Sequence, residues 1–74
     1  MFVKPDAYKI LRQERTKKGL TGTELGRRMG LNSPQHYWNI EHNKNHLTLE
    51  YAFAAADALD ISVDVFCEKV KENV

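Results

Sequence analysis

Four side chains of this 74-residue chain could hold a soft metal or act as a nucleophile: His36, His42, His46 and Cys67. A structural zinc site takes four such ligands in closely spaced pairs, and this spacing does not supply them. His42 and His46 are separated by Asn43-Lys44-Asn45, which breaks helical periodicity, so no metal site is expected. Cys67 lies between Phe66 and Glu68 with no histidine near it in sequence, and it reads as a small apolar residue rather than a reactive thiol. A phosphate loop of the GxxxxGK[ST] type is absent, so neither an enzyme nor a cofactor is expected. What remains is recognition chemistry. Gln35 and Asn39 are carboxamides one helical turn apart, each carrying a donor and an acceptor, and an amide of this kind can pair bidentately with adenine. The alternative reading is that they are ordinary surface amides.

The elements that must position this pair are short helices. Pro5-Asp6 opens the first, with Ala7, Tyr8, Leu11 and the stem of Arg15 on one face, and Lys17, Lys18 and Gly19 close it. Thr21 starts the second, and Glu24 three residues on completes a capping box. Gly30 ends that helix after Met29, and Ser33-Pro34 supplies an N-cap followed by proline at the first helical position. The third helix therefore runs from Pro34 to about His42, where Asn43 can adopt the left-handed conformation. Thr48 caps a fourth helix expected to bury Leu49, Ala52, Phe53, Ala56 and Leu59, and Ser62 caps a fifth carrying Val63 and Phe66. No segment shows the strict alternation of a strand, so the expected fold is all-α, five short helices in one domain over residues 1–74.

Turning residues by about 100° each separates the faces of the third helix. Tyr37, Ile40 and Glu41 fall on the inner side. Gln35, Trp38, Asn39 and His42 fall on the outer side, which is rich in amides and free of formal charge.

Length and charge bound the rest. One small domain of 8.6 kDa has a limited core, and the single cysteine cannot staple it internally. With no run approaching 18 apolar residues and no apolar leader near Met1, a cytoplasmic protein with no membrane partner is expected. Residues 1–31 hold eight basic side chains against three acidic ones, whereas residues 32–74 hold three against seven. This polarity can turn a positive face toward a polyanion, or it can reflect ordinary solvated helix faces.

The stretch LTGTELGRRMGLNSPQHYWNIEHNKNHLTLEYAFAAADALDISVDVF, with YKILRQERTKKG before it, resembles the helix-turn-helix domain of the lambda-type phage repressor and Cro family. Leu20-Thr21, Glu24-Leu25, the small Gly26 at a helix crossing, the Gly30 turn, Ile40-Glu41 and Ala58-Leu59 with Ile61-Ser62-Val63-Asp64 carry the likeness in order, and the motif itself covers about residues 21–43. The resemblance implies a lambda-repressor-like fold and a sequence-specific regulator of phage or bacterial origin that lays its third helix in the major groove of a double-stranded DNA operator. Gln35, Asn39, Trp38 and His36 would then face bases or a partner, while Thr21, Lys44, Asn45, Asn43 and His42 would lie along phosphates. It also implies a structural ion pair between Arg15 and Glu41, and a homodimer with Tyr51, Val65, Phe66 and Val70 as the candidate interface.

Four departures from the family pattern bear on that expectation. Gly22 stands where a phosphate-clamping glutamine is usual; one extra residue, placed at Asn32, lengthens the turn; Pro34 replaces a base-reading side chain; and Trp38 exposes an indole outward. These departures leave a second reading open. In it the chain is a phage antirepressor or modulator that binds a cognate repressor protein through the same surface, with Tyr37 and Trp38 as aromatic anchors.

Overall fold

The computed structural model describes residues 1–68. Four helices carry the fold: α1 (Ala7–Lys17), α2 (Gly22–Arg28), α3 (Pro34–Glu41) and α4 (Leu49–Leu59). A 3-10 turn follows at Val63–Val65, and two-residue strands β1 (Phe2–Val3) and β2 (Cys67–Glu68) pair antiparallel, Phe2 opposite Glu68 and Val3 opposite Cys67.

Local chemistry sets the helix ends. Asp6 precedes α1 without a side-chain cap, and Gly19, at φ 69°, turns the chain out of the helix while the Leu20 N–H donates to the Arg15 carbonyl at 3.2 Å. At α2 the Thr21 hydroxyl accepts from the Glu24 N–H and the Glu24 carboxylate accepts from the Thr21 N–H, both at 3.1 Å. Each side chain thereby satisfies a backbone donor that the first helical turn leaves unpaired. Gly30, at φ 84°, makes the turn to α3, and Leu31 N–H closes it on the Gly26 carbonyl at 2.9 Å. Asn32 stands exposed in this turn, and the Ser33 hydroxyl then caps α3 by accepting from His36 N–H at 3.2 Å.

Phe66, Leu11, Leu25, Ile40 and Leu59 fill the centre of the core, joined by Ala7, Tyr37, Ala52, Ala55 and Ala56. Each large member contributes about 1.5 to 3 kcal/mol by leaving water.

Three expectations need correction here. The fifth helix is a single 3-10 turn. The Val65 carbonyl accepts from Lys4 Nζ at 3.4 Å and the Phe66 carbonyl from Lys4 N–H at 2.8 Å, so the chain pairs with β1 rather than winding onward. Strands of two residues are too short for alternation to register in the sequence, yet Val3 and Cys67 still turn toward the core while Phe2 and Glu68 face out. On α4 the buried stripe is Ala52, Ala55, Ala56 and Leu59. Leu49 and Phe53 are exposed, because three alanines draw the helix close along a line rotated away from them.

Candidate nucleic-acid interface

The inner side of α3 is anchored first. Tyr37, Ile40 and Glu41 are buried, and Tyr37 lies across α2 at its two glycines. Glu41 accepts a forked pair of hydrogen bonds from Arg15 of α1, Nε to Oε2 at 3.0 Å and Nη2 to Oε1 at 2.9 Å. Arg15 Nη1 adds a bond to the Leu20 carbonyl at 2.8 Å, which ties the start of the α1–α2 connection into the same group. Burial works to raise the Glu41 carboxyl, but the hydrogen bonds and charge of Arg15, with the Arg12 charge behind them, outweigh it and hold the group below the ordinary carboxylate range. Arg15 is shifted the opposite way, chiefly by its bond to Glu41. Among the described residues the buried Tyr37 hydroxyl has no hydrogen-bond partner, and burial beside the Glu41 carboxylate pushes its ionisation up.

On the opposite side of α3, Gln35 is exposed and Asn39 half-buried, and Gln35 Nε2 donates to Asn39 Oδ1 at 3.0 Å. This bond occupies one lone pair of the Asn39 oxygen, so Asn39 keeps both amide N–H donors while Gln35 keeps its own acceptor and one N–H. Trp38, 42% exposed, stacks on His42 with ring centroids 3.8 Å apart and 14° between planes. His42 Nδ1 lies 2.9 Å from the Trp38 carbonyl oxygen, which can only accept, so this ring nitrogen carries the proton and Nε2 is left free.

Past α3 the chain curls back on itself. Asn43 takes φ 59°, and the N–H groups of Lys44 and Asn45 both donate to the Asn39 carbonyl, at 2.8 and 3.1 Å. That hook brings Lys44 Nζ to 5.3 Å from the Trp38 ring centroid, a cation over an aromatic face at the end of the amide row. Thr21, at the start of α2, has its hydroxyl oxygen accepting in the capping box, while the hydroxyl proton stays available.

Two of the sequence candidates fall elsewhere. His36 does not face outward with the amides: its Nε2 lies 3.3 Å from the Tyr51 hydroxyl, and the two rings meet edge to face at 5.5 Å. A residue one before Tyr37 turns about 100° toward α4, so the helical spacing itself carried this signal. Phe66 is fully buried in the core and is withdrawn from the candidate dimer surface. Tyr51 and Val65 are half-buried, and Val70 lies outside the described residues.

One residue absent from the sequence candidates lines a cleft beside Trp38, Glu41 and His42. Arg12 stands three residues before Arg15 on α1, with Nε 3.8 Å from Glu41 Oε1 and its side chain 67% exposed. Its i,i+3 spacing from Arg15 was a legible sign that the two share a face.

A pair of short helices joined by a tight turn, the second braced from behind and presenting amides and a cation in front, defines a helix-turn-helix unit. A family model described as helix-turn-helix matches residues 11–66. The chain belongs to this family, in its lambda repressor and Cro branch, whose members are DNA-binding regulatory domains. Among curated proteins and solved structures, no match is found. No helix among the described residues is long and apolar enough to cross a membrane.

Proposed function

We propose that the chain is a sequence-specific transcription regulator that binds a double-stranded DNA operator as a homodimer, with α3 in the major groove. The supporting observation is the Gln35–Asn39 hydrogen bond at 3.0 Å on the free side of a helix whose other side is buried. Two amides tied together lose rotamer freedom before any base is met, which lowers the ordering cost of readout. In this reading Asn39 offers donors to a purine edge, Gln35 offers a mixed edge, and Trp38 packs beside them. Lys44, Asn45, Asn43, His42 and Thr21 run along the phosphates and set register without reading sequence. One short helix reads only a few base pairs, and two-fold symmetry doubles that site. Selection from a random duplex pool should enrich a two-fold symmetric sequence with half-sites about one helical turn apart; recovery of no common sequence would reject the reading.

A second reading rests on Trp38, a large indole exposed beside an open cleft. In that reading the chain acts as an antirepressor, and this indole anchors it on a cognate repressor protein. It forecasts no protected DNA and a complex with a neighbouring repressor that Trp38→Ala disrupts.

A further inference from the structure

The two ends of α3 are held in different ways. Its C-terminal end is fixed by buried Ile40 and by the Arg15–Glu41 fork. Its N-terminal end starts at Pro34, which has no N–H to give, and the Ser33 cap ties it to the turn rather than to another helix. One side-chain bond reaches this end from across the fold: His36 Nε2 and the Tyr51 hydroxyl of α4 lie 3.3 Å apart with the rings edge to face. Among the described residues it is the only hydrogen bond between α3 and α4. It forms whether Nε2 is protonated or bare, because a hydroxyl both donates and accepts. Beside it the α2–α3 turn leaves an open cavity of about 230 Å³, lined by Gly30, Leu31 and Asn32 and, from α4, by Glu50, Tyr51 and Ala54.

We infer that Tyr51 is a positioning residue for base readout: through His36 it sets the tilt of α3, and with it the base edge that Gln35 meets. The inference rests on the DNA-binding reading above and adds to it a residue that touches no base. Leverage decides which amide depends on it. At about 1.5 Å per residue, Gln35 lies ~9 Å along the axis from the Glu41 anchor and Asn39 ~3 Å, so a sideways tilt about that anchor moves Gln35 about three times as far. Tyr37, seated across Gly22 and Gly26, resists movement against α2. Movement toward α4 has the open cavity ahead of it, and the His36 ring against the Tyr51 ring is what stands in the way. A binding constellation has to be held to within about 0.5 Å, so a tilt too small to unfold the domain is enough to spoil an amide–base contact. Tyr51 also stands among the candidate dimer residues, but its hydroxyl is engaged within its own chain, which makes the two roles separable by measurement.

The test uses the full chain, a duplex recovered by selection, its single base-pair variants and a scrambled duplex of equal length. Loss of discrimination in Gln35→Ala and Asn39→Ala first maps the base pair that each amide reads. Tyr51→Phe should then reduce discrimination at the Gln35 base pair by roughly 3- to 10-fold, a fraction of what one amide–base contact contributes, and leave the Asn39 base pair unmoved. His36→Gln, whose amide can still reach the hydroxyl, should retain discrimination at both. The slope of log affinity against log salt should be the same in these two variants as in the natural chain, since no phosphate contact changes. Self-association measured by sedimentation should also match the natural chain. If Tyr51→Phe loses its cooperative melt, His36→Phe, which keeps a ring against Tyr51 but no ring nitrogen, takes its place; loss of folding in both would make the contact a requirement of the fold and overturn the positioning role. An equal loss on every duplex, unchanged discrimination in Tyr51→Phe, no base pair that maps to Gln35, or a weakened dimer would overturn it as well and leave the DNA-binding reading intact. A natural chain that prefers no sequence would overturn both.

Discussion

A Cβ built on Gly26 would stand 2.9 Å from Tyr37 Cβ, so α3 rests directly on the backbone of α2 at this point. Tyr37 Cβ is fixed to the α3 main chain and cannot swing aside. Gly26→Ala should therefore move the whole helix or strain it, at a cost of about 1 to 3 kcal/mol in stability. Gly22→Ala meets the ring edge instead, at 3.1 to 3.2 Å, and a small tilt of the ring relieves it. Urea unfolding should rank Gly26→Ala as clearly the more damaging; equal losses would show that the two helices do not meet as described.

The Arg15–Glu41 fork holds the back of α3 from across the molecule, with the Glu41 side chain 4% exposed. Arg15→Ala would leave that carboxylate buried and unpaired, and the expected loss is about 3 kcal/mol or more. Replacing both partners by apolar residues of similar volume should cost much less than either single change, because desolvation and attraction are removed together. Chemical denaturation of the two single variants and the double variant measures this coupling; additive losses would mean the pair does not interact.

The same carboxylate gives a pH dependence of known sign. Its folded pKa lies below the unfolded value of about 4.3, so its stabilisation is complete above that pH and is lost as the pH falls below it through the folded pKa. The Glu24 carboxyl is also lowered, first by its bond from the Thr21 backbone and then by the Thr21 side chain. Melting temperatures between pH 6 and pH 3 should drop for the natural chain, and Glu41→Gln should melt lower at pH 6 with a shallower acid dependence. Parallel pH profiles would assign the acid sensitivity elsewhere.

Lys44 is positioned by two backbone bonds to the Asn39 carbonyl rather than by a charged partner. A cation placed this way serves any phosphate backbone, so Lys44→Ala should weaken selected and scrambled duplexes by the same factor and lower the salt slope by ~0.9. A loss confined to the selected duplex would make Lys44 a base-reading residue.

Much of this arrangement was legible in the residues. Thr21 with Glu24, Ser33 with Pro34, and Gly30 each mark a helix boundary by a local hydrogen-bond or backbone requirement, and local requirements show in local sequence. The inner side of α3 followed from helical rotation alone. Contacts set by distant chain were not legible. The pairing of β1 with β2 joins residues more than sixty positions apart and is only two residues long on each side. It removes the carbonyls that a fifth helix would have used, and it puts Phe66 inside the core rather than on a dimer face. On α4, apolar spacing alone pointed to Leu49 and Phe53. The run of alanines decided which edge comes closest to its neighbours, and exposed those two. His36 was assigned a base- or partner-facing role only through the family resemblance; helical rotation did not put it among the outward residues, and the structure sets it against Tyr51.

The most direct measurement of the central claim is the ratio of affinities for the selected and the scrambled duplex. It is taken at fixed salt for the natural chain, Gln35→Ala, Asn39→Ala and the double variant. Each single change should reduce that ratio by an amount worth ~1 to 3 kcal/mol, and the double change should reduce it by less than the sum, since the two amides act as one hydrogen-bonded unit. A ratio unchanged by all three variants would contradict the assignment of this helix face to reading DNA sequence.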